Sequence, residues 1–258
     1  MKRYLVLFIL VGLVSCKDDS PTTSADNSSG YPTTIAKSNE SEANSEFNFF
    51  ESSLGTSIRG KVDTFGFVGH LGLLSRGRSS ISDAAQAIMV AKLALLAVSS
   101  RTCVFDPSLI EVKSAHRYDS GPLSFSDWEI QFKSQTYKGL EVWNSEILVL
   151  VADDLIQLDG HWYKDVIIPA DNTISKEQAK TALVGSVIQY YARGGPEVFT
   201  VVDSIIHLDS IKQSIYPLIK SDCLELRVVW KVPIGSWWYY FVDIVSGEKV
   251  ALKQRFIS

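Results

Sequence analysis

The sequence predicts an α+β fold of two similar halves, each one helix laid on an antiparallel sheet, behind a disordered tether. Three observations carry this expectation. Two stretches, near residues 80–99 and 175–193, carry helical spacing with capping residues. Each is followed by runs in which apolar and polar residues alternate at period two, the signature of half-buried strands. Ahead of both, Lys17 to Glu46 is Ser, Thr, Asn, Asp and Glu with scarcely an aliphatic residue, too little apolar area to offset the entropy of ordering.

The chain opens with "MKRYLVLFILVGLVS", a basic start and an apolar run from Tyr4 to Val14, which has the length of a signal-peptide core and is too short to span a bilayer. Residues 1–15 are therefore read as an export signal. The run ends in Leu13-Val14-Ser15-Cys16, small residues before a cysteine, similar to the bacterial lipobox in which the cysteine is acylated. An ordinary signal peptide that happens to carry a cysteine is the plainer alternative. One acyl chain anchors only marginally, whereas several hold a protein on the membrane permanently. Lys17 to Ser20 resembles the short Lys-Asp-Asp signals that send lipoproteins to the cell surface, and reads equally as the polar start of a linker. The expected location is the outer membrane or cell surface, with residues 16–46 as lipidated cysteine and tether. Thirty residues of coil reach about 30 Å.

The 258 residues, 46% of them hydrophobic, suffice for one or two real cores. A net charge of −4, more acidic once Lys2 and Arg3 are removed, argues against nucleic acid as a partner. With Cys16 acylated, Cys103 and Cys223 remain as a pair in an oxidising compartment. They form either one disulfide or two separate buried thiols.

Residues 47–81 mix aromatics with many glycines and read as a lead-in of loops or a short strand. "SISDAAQAIMVAKLALLAVSS" is a well-buried helix, with Ser80 or Ser82 as N-cap and an end near Ser99. Trp128, Ile130 and Phe132 alternate against Glu129, Gln131 and Lys133, and a further strand over Leu140 to Val151 becomes continuously apolar at "ILVLV". "LIQLDGHWYKDVIIP" supplies another short strand or two. The second helix starts at Ser175, with Gln178 completing a capping box, and is expected to run to Gly194-Gly195-Pro196 with Ala179, Ala182, Leu183, Ser186 and Tyr190 on one face. "LELRVVWKV" then puts Leu224, Leu226, Val228, Trp230 and Val232 on one side, and a hairpin turns at Ser246-Gly247.

Catalytic motifs are missing. None of the histidines opens a His-Glu-x-x-His pair, and no Cys-x-x-Cys, Gly-x-Ser-x-Gly or calcium-loop spacing occurs. "GTSIRGKV", Gly55 to Val62, nearly fits a phosphate-binding loop, but Val62 stands where Ser or Thr would hold magnesium. Asp153-Asp154 reads as a solvated turn. No metal and no cofactor are expected, and the chain is not expected to be an enzyme.

"WEIQFKSQTYKGLEVWNSEILVLVADDLIQLDGHW" resembles the fungalysin/thermolysin propeptide domain. The centre of that family's motif is reproduced by Gln135, Thr136, Tyr137, Lys138 and Gly139. "ISKEQAKTAL" followed by "LRVVWKVPIGSWWYYFVDIVSGEKV" looks like a PepSY domain, through Trp238, Tyr240 to Asp243 and Ser246 to Lys249, with Gly247 in the turn. The resemblance spans residues 82–172 and 173–258 and implies cystatin-like halves. Glu129 to Phe132 departs from the His-Val-Arg-Phe-like strand usual there, losing a positive charge. In the family such propeptides chaperone and inhibit the enzyme they precede. With no zinc-peptidase segment expected here, the implied partner is a secreted zinc metalloprotease made separately, besides the membrane reached through the lipid anchor. The alternatives are an envelope binding or structural lipoprotein with no peptidase partner, and a truncated remnant of a metalloprotease precursor. The aromatic run Trp237 to Phe241 reads as core or as interface.

Overall fold

The chain path was taken from a computed structural model that describes residues 30–54, 58–74, 81–119, 126–152, 155–170, 173–192 and 195–255. The export signal, Cys16, Lys17 to Ser20 and Asp153-Asp154 lie outside the described residues.

The described chain begins with strand β1 (Thr33–Ala36) and helix α1 (Glu40–Leu54), followed by β2 (Ile58–Val62) and β3 (Val68–Leu74). This corrects the expectation of a disordered tether up to residue 46. Sparse in apolar area, β1 is held by main-chain pairing to a distant strand, from Thr33 opposite Leu226 to Ala36 opposite Cys223. Helix α1 starts with a reciprocal cap at Asn39, whose side chain accepts the Glu42 N–H at 2.9 Å while the Glu42 carboxylate accepts the Asn39 N–H at 3.2 Å. The lead-in is also more regular than expected, since β3 lies inside a sheet with Leu71 fully buried.

Helix α2 (Ala84–Ala97) is capped by Asp83, which accepts the Gln86 N–H at 2.9 Å and replaces both expected caps, Ser80 and Ser82. A short turn, α3 (Ser99–Thr102), leads into β4 (Val112–Asp119) and β5 (Ser126–Phe132). A small hairpin, β6 (Thr136–Tyr137) and β7 (Leu140–Glu141), precedes β8 (Ile147–Val151) and β9 (Leu155–Asp159). Six strands form one antiparallel sheet in the order β2-β3-β9-β8-β5-β4. Its core joins Ala87, Ala91, Leu95 and Val98 of α2 and its C-cap to Ile130, Phe132, Val149 and Leu158. Alanines facing the sheet let the helix backbone approach closely. The outward side chains of "ILVLV", Leu148 and Leu150, are half-buried.

In the second half, helix α4 (Lys176–Leu183) carries the expected capping box between Ser175 and Gln178, but it ends eight residues into the stretch read as helix to 193. Gly185 takes φ +85°, and Val187 to Ala192 becomes strand β10, paired with β11 (Gly195–Thr200) from Val187 opposite Thr200 to Ala192 opposite Gly195. The β-branched and aromatic run Val-Ile-Gln-Tyr-Tyr favours a strand once a glycine has broken the helix. Tyr190 therefore stacks edge-on against Trp238, ring centroids 5.6 Å apart, from a strand and not from a helix face.

The remaining strands are β12 (Lys212–Ile219), β13 (Cys223–Ile234), β14 (Trp238–Asp243) and β15 (Lys249–Gln254). The long β13 takes β12 along one side, and β1 and β14 end to end along the other; β15 lies outermost. One face of β13 holds Leu224, Leu226, Val228 and Val232, all buried, as the alternation predicts. Its far end packs under α4 and the β10–β11 hairpin. Its near end shares a cluster with Phe67, Tyr137, Val142, Tyr163 and Val166, so the two halves meet through a common core. The observed class is α+β with antiparallel sheets.

Candidate binding surface

The Gln-Thr-Tyr-Lys-Gly motif builds a brace. Lys138 at φ +48° and Gly139 at φ +83° are the two left-handed residues of a two-residue turn, which explains a lysine-glycine pair between short strands. Thr136 is exposed opposite Glu141, and Tyr137 is half-buried against the shared core. Gln135 is 6% exposed and works with both ends of its amide. Its Nε2 donates to the Tyr163 carbonyl at 2.6 Å, and its Oε1 accepts the Tyr163 N–H at 2.8 Å. Its own N–H donates to Ser145 Oγ at 2.8 Å, while its carbonyl accepts from Val142 at 2.8 Å. A side chain thus takes the place of a neighbouring strand for the irregular segment after β9.

Asp243 is a second buried hub, 1% exposed. Oδ1 accepts the N–H groups of Val245 and Ser246 at 2.9 and 2.8 Å, ordering the hairpin turn in which Gly247 takes φ +71°. Oδ2 accepts the Tyr31 hydroxyl at 2.7 Å and Arg227 Nη1 at 3.2 Å. Arg227 also holds Glu225 through Nε at 2.6 Å, and Glu225 meets Lys220 at 2.6 Å. Burial works to raise the Glu225 carboxyl, yet the bonds from Lys220 and Arg227 outweigh it and hold the group below the usual carboxylate range. Burial and the bond to Asp243 push the Tyr31 hydroxyl well above the ordinary tyrosine value.

Trp238 packs into the second core, and Trp237 beside it is 58% exposed. On the sheet face opposite α4 lie Tyr216, Val229 and Phe241, joined by the half-buried Trp143 and Tyr239. Trp143 reaches across from the first half: its backbone N–H donates to the Ile215 carbonyl of β12 at 2.8 Å, and its ring stacks edge-on with Phe241, centroids 5.0 Å apart. The Lys231 ammonium sits 5.2 Å above the Trp143 ring and 5.4 Å above that of Tyr239, and the Arg255 guanidinium lies 5.7 Å from Tyr239. Sequence reasoning missed Tyr31, Glu225, Arg227, Trp143 and Lys231. The polar positions of "LELRVVWKV" were visible as the opposite face of β13, but not what they face.

Cys103 and Cys223 are free thiols, so the disulfide alternative is corrected in favour of separate cysteines. Cys103, in a left-handed cap at φ 56°, packs in the shared core, while Cys223 starts β13 opposite Ala36. Burial raises the Cys103 thiol above its ordinary value. Where the phosphate-loop resemblance lay, Ile58–Val62 is a paired strand. Among the described residues no cluster of three metal-ligating side chains occurs, and no helix is long and apolar enough to cross a membrane. His70 and Asp159 form an exposed pair at 2.7 Å across β3 and β9.

No family model and no curated protein match the sequence. Among solved structures, the Bacillus megaterium YpeB C-terminal domain aligns with 84% of this chain and 98% of its own, at 13% identity and a TM-score of 0.31.

Proposed function

We propose that this chain is a non-catalytic docking module, exported and held on the membrane by an acylated Cys16, that binds a secreted thermolysin-like zinc metallopeptidase in trans and inhibits it or assists its folding. The observation that carries the reading is the role of Gln135: the most distinctive side chain of the propeptide-like motif is buried as a brace between the β6–β7 hairpin and Tyr163. Asp243 of the PepSY-like motif is buried in the same manner. Motif residues used in this way maintain a rigid scaffold, and the chemistry is left to the partner. The surfaces offered outward are open strand edges and a half-buried aromatic face, the materials of strand addition and of interface anchors.

The test is to titrate the purified chain into thermolysin-like peptidases from the same envelope and to recover partners by pull-down from that envelope. Saturable slowing of hydrolysis, or a raised yield of active enzyme on refolding, is the expected result. Hydrolysis of peptides by the purified chain alone overturns the reading, and so does the absence of both inhibition and a co-purifying peptidase.

A further inference from the structure

We propose that the face of the second sheet opposite α4, together with the free edge of β15, is a docking site for an extended acidic segment of a partner protein. Cross-strand register places the cations. Lys212 lies opposite Lys231, Lys231 opposite Phe241, and Tyr239 opposite Lys253, so all of them project from the face that carries Trp143 and Tyr239. Arg255 joins them over the Tyr239 ring. Beside these cations the acid is Glu141, 3.4 Å from Lys231 and half exposed; Glu225 and Asp243, farther along the same face, are buried and tied to Arg227. A positive, aromatic-backed patch on a chain of net charge −4 runs against the overall balance and selects for a negative ligand.

Lysines on an edge strand commonly guard it against unwanted pairing. Lys231 cannot be such a guard, because it lies on the central β13 with a side chain only 16% exposed. Held over two rings, its ammonium is already positioned, so little side-chain entropy is lost when a carboxylate arrives.

Backbone geometry favours a peptide over a glycan, a nucleic acid or a lipid surface. Among the described residues β15 pairs only with β14, which leaves its outer N–H and C=O groups open to one more strand. Side chains of an added strand alternate between faces, and acids at every second position would line up with Lys253 and Arg255, themselves two residues apart. Sugars or bases would have to compete with Lys231 for the Trp143 ring and with Lys231 and Arg255 for the Tyr239 ring, whereas a carboxylate pairs with those same cations.

The inference rests on the docking-module reading and deepens it, but its test uses isolated peptides and no peptidase, so the two fail separately. Fluorescein-labelled peptides are titrated by anisotropy with the full chain: one alternating Glu and Val, one of the same composition with the Glu residues in a block, and the alternating one N-methylated on every second amide. Oligogalacturonate and phosphatidylglycerol vesicles serve as competitors. The alternating peptide should bind in a salt-sensitive manner. Binding should fall about tenfold or more in Lys231→Glu/Lys253→Glu, be lost on N-methylation, and stay unchanged in Lys92→Glu on α2. Circular dichroism melting of each variant verifies the fold, and Arg255→Glu at an exposed position gives a second reading if Lys231→Glu fails to fold. Equal binding of the block or N-methylated peptide, preference for oligogalacturonate or vesicles, or no saturable peptide binding overturns the proposal.

Discussion

The hydroxyl of Tyr31 donates to Oδ2 of Asp243 at 2.7 Å across 212 residues of sequence, and accepts the Val228 N–H at 3.1 Å. One phenol therefore fastens the start of the described chain to β13 and the end of β14, beside the shared core. Tyr31→Phe removes the hydroxyl while leaving a buried carboxylate oxygen and a backbone donor short of a partner, so a loss of about 1–3 kcal/mol is expected from the denaturant midpoint. Hydrogen exchange should rise in β1 before it rises in β3. The pH dependence follows from the raised folded-state value of Tyr31: the folded protein keeps a proton that the unfolded chain gives up. This stabilisation is complete below the ordinary tyrosine value of about 10 and is lost as pH rises beyond it. Tyr31→Phe should reduce that alkaline loss, leaving the part owed to the other raised groups, Tyr163 and Cys103 among them.

Gln135 gives a second test. Leucine in its place keeps the volume but removes both bonds to Tyr163, leaving a buried N–H and C=O unmet. The expected cost is about 2–4 kcal/mol, which urea unfolding would measure. Gln135→Glu retains an acceptor for the Tyr163 N–H but offers no donor to its carbonyl once ionised. Its destabilisation should therefore ease as pH falls and the carboxyl takes up a proton.

What was legible in the sequence is what local rules govern. Trp128, Ile130 and Phe132, and Leu224 to Val232, showed their buried faces because a strand repeats every two residues and each run had one apolar side. Ser175 and Gln178 announced a helix start because a capping box is complete within four consecutive residues. The end of that helix was not legible, since Val187 to Ala192 fits helical spacing and a strand alike, and pairing with β11 decides it. β1 was hidden for a related reason: Thr-Thr-Ile-Ala has no buried face of its own, and only the waiting edge of β13 makes it a strand. The cationic face depends on register between β12, β13, β14 and β15, which no single segment encodes.

Two glycines with positive φ separate strain from crowding. At Gly139, φ +83°, an added Cβ meets nothing within 4 Å, so Gly139→Ala should cost only the backbone preference, about 1–2 kcal/mol. At Gly160, φ +97°, the same Cβ would stand 2.5 Å from the Glu146 carbonyl oxygen, a backbone atom that cannot swing aside. Gly160→Ala should therefore cost clearly more than Gly139→Ala, by about 1 kcal/mol or more, and thermal melting of the two variants side by side would measure the difference.

Glu225 sets the acid limb. Its side chain is 11% exposed and bonds Lys220 and Arg227 at 2.6 Å each, and these bonds hold its carboxyl below the usual range despite burial. The folded protein thus binds fewer protons at this site than the unfolded chain, so the stabilisation is present above the ordinary glutamate value of about 4.3 and disappears as pH falls through the lower folded value. Glu225→Gln should lower stability at neutral pH, because the amide carries no charge and has a single acceptor oxygen where the carboxylate serves both Lys220 and Arg227. The same variant should lose less than the native chain on acidification. Chemical denaturation at a series of pH values gives both readings at once. Parallel acid limbs for the two proteins would mean that the Lys220–Glu225–Arg227 network adds nothing to folding, whereas convergence of the two curves below about pH 4 is the outcome its geometry requires.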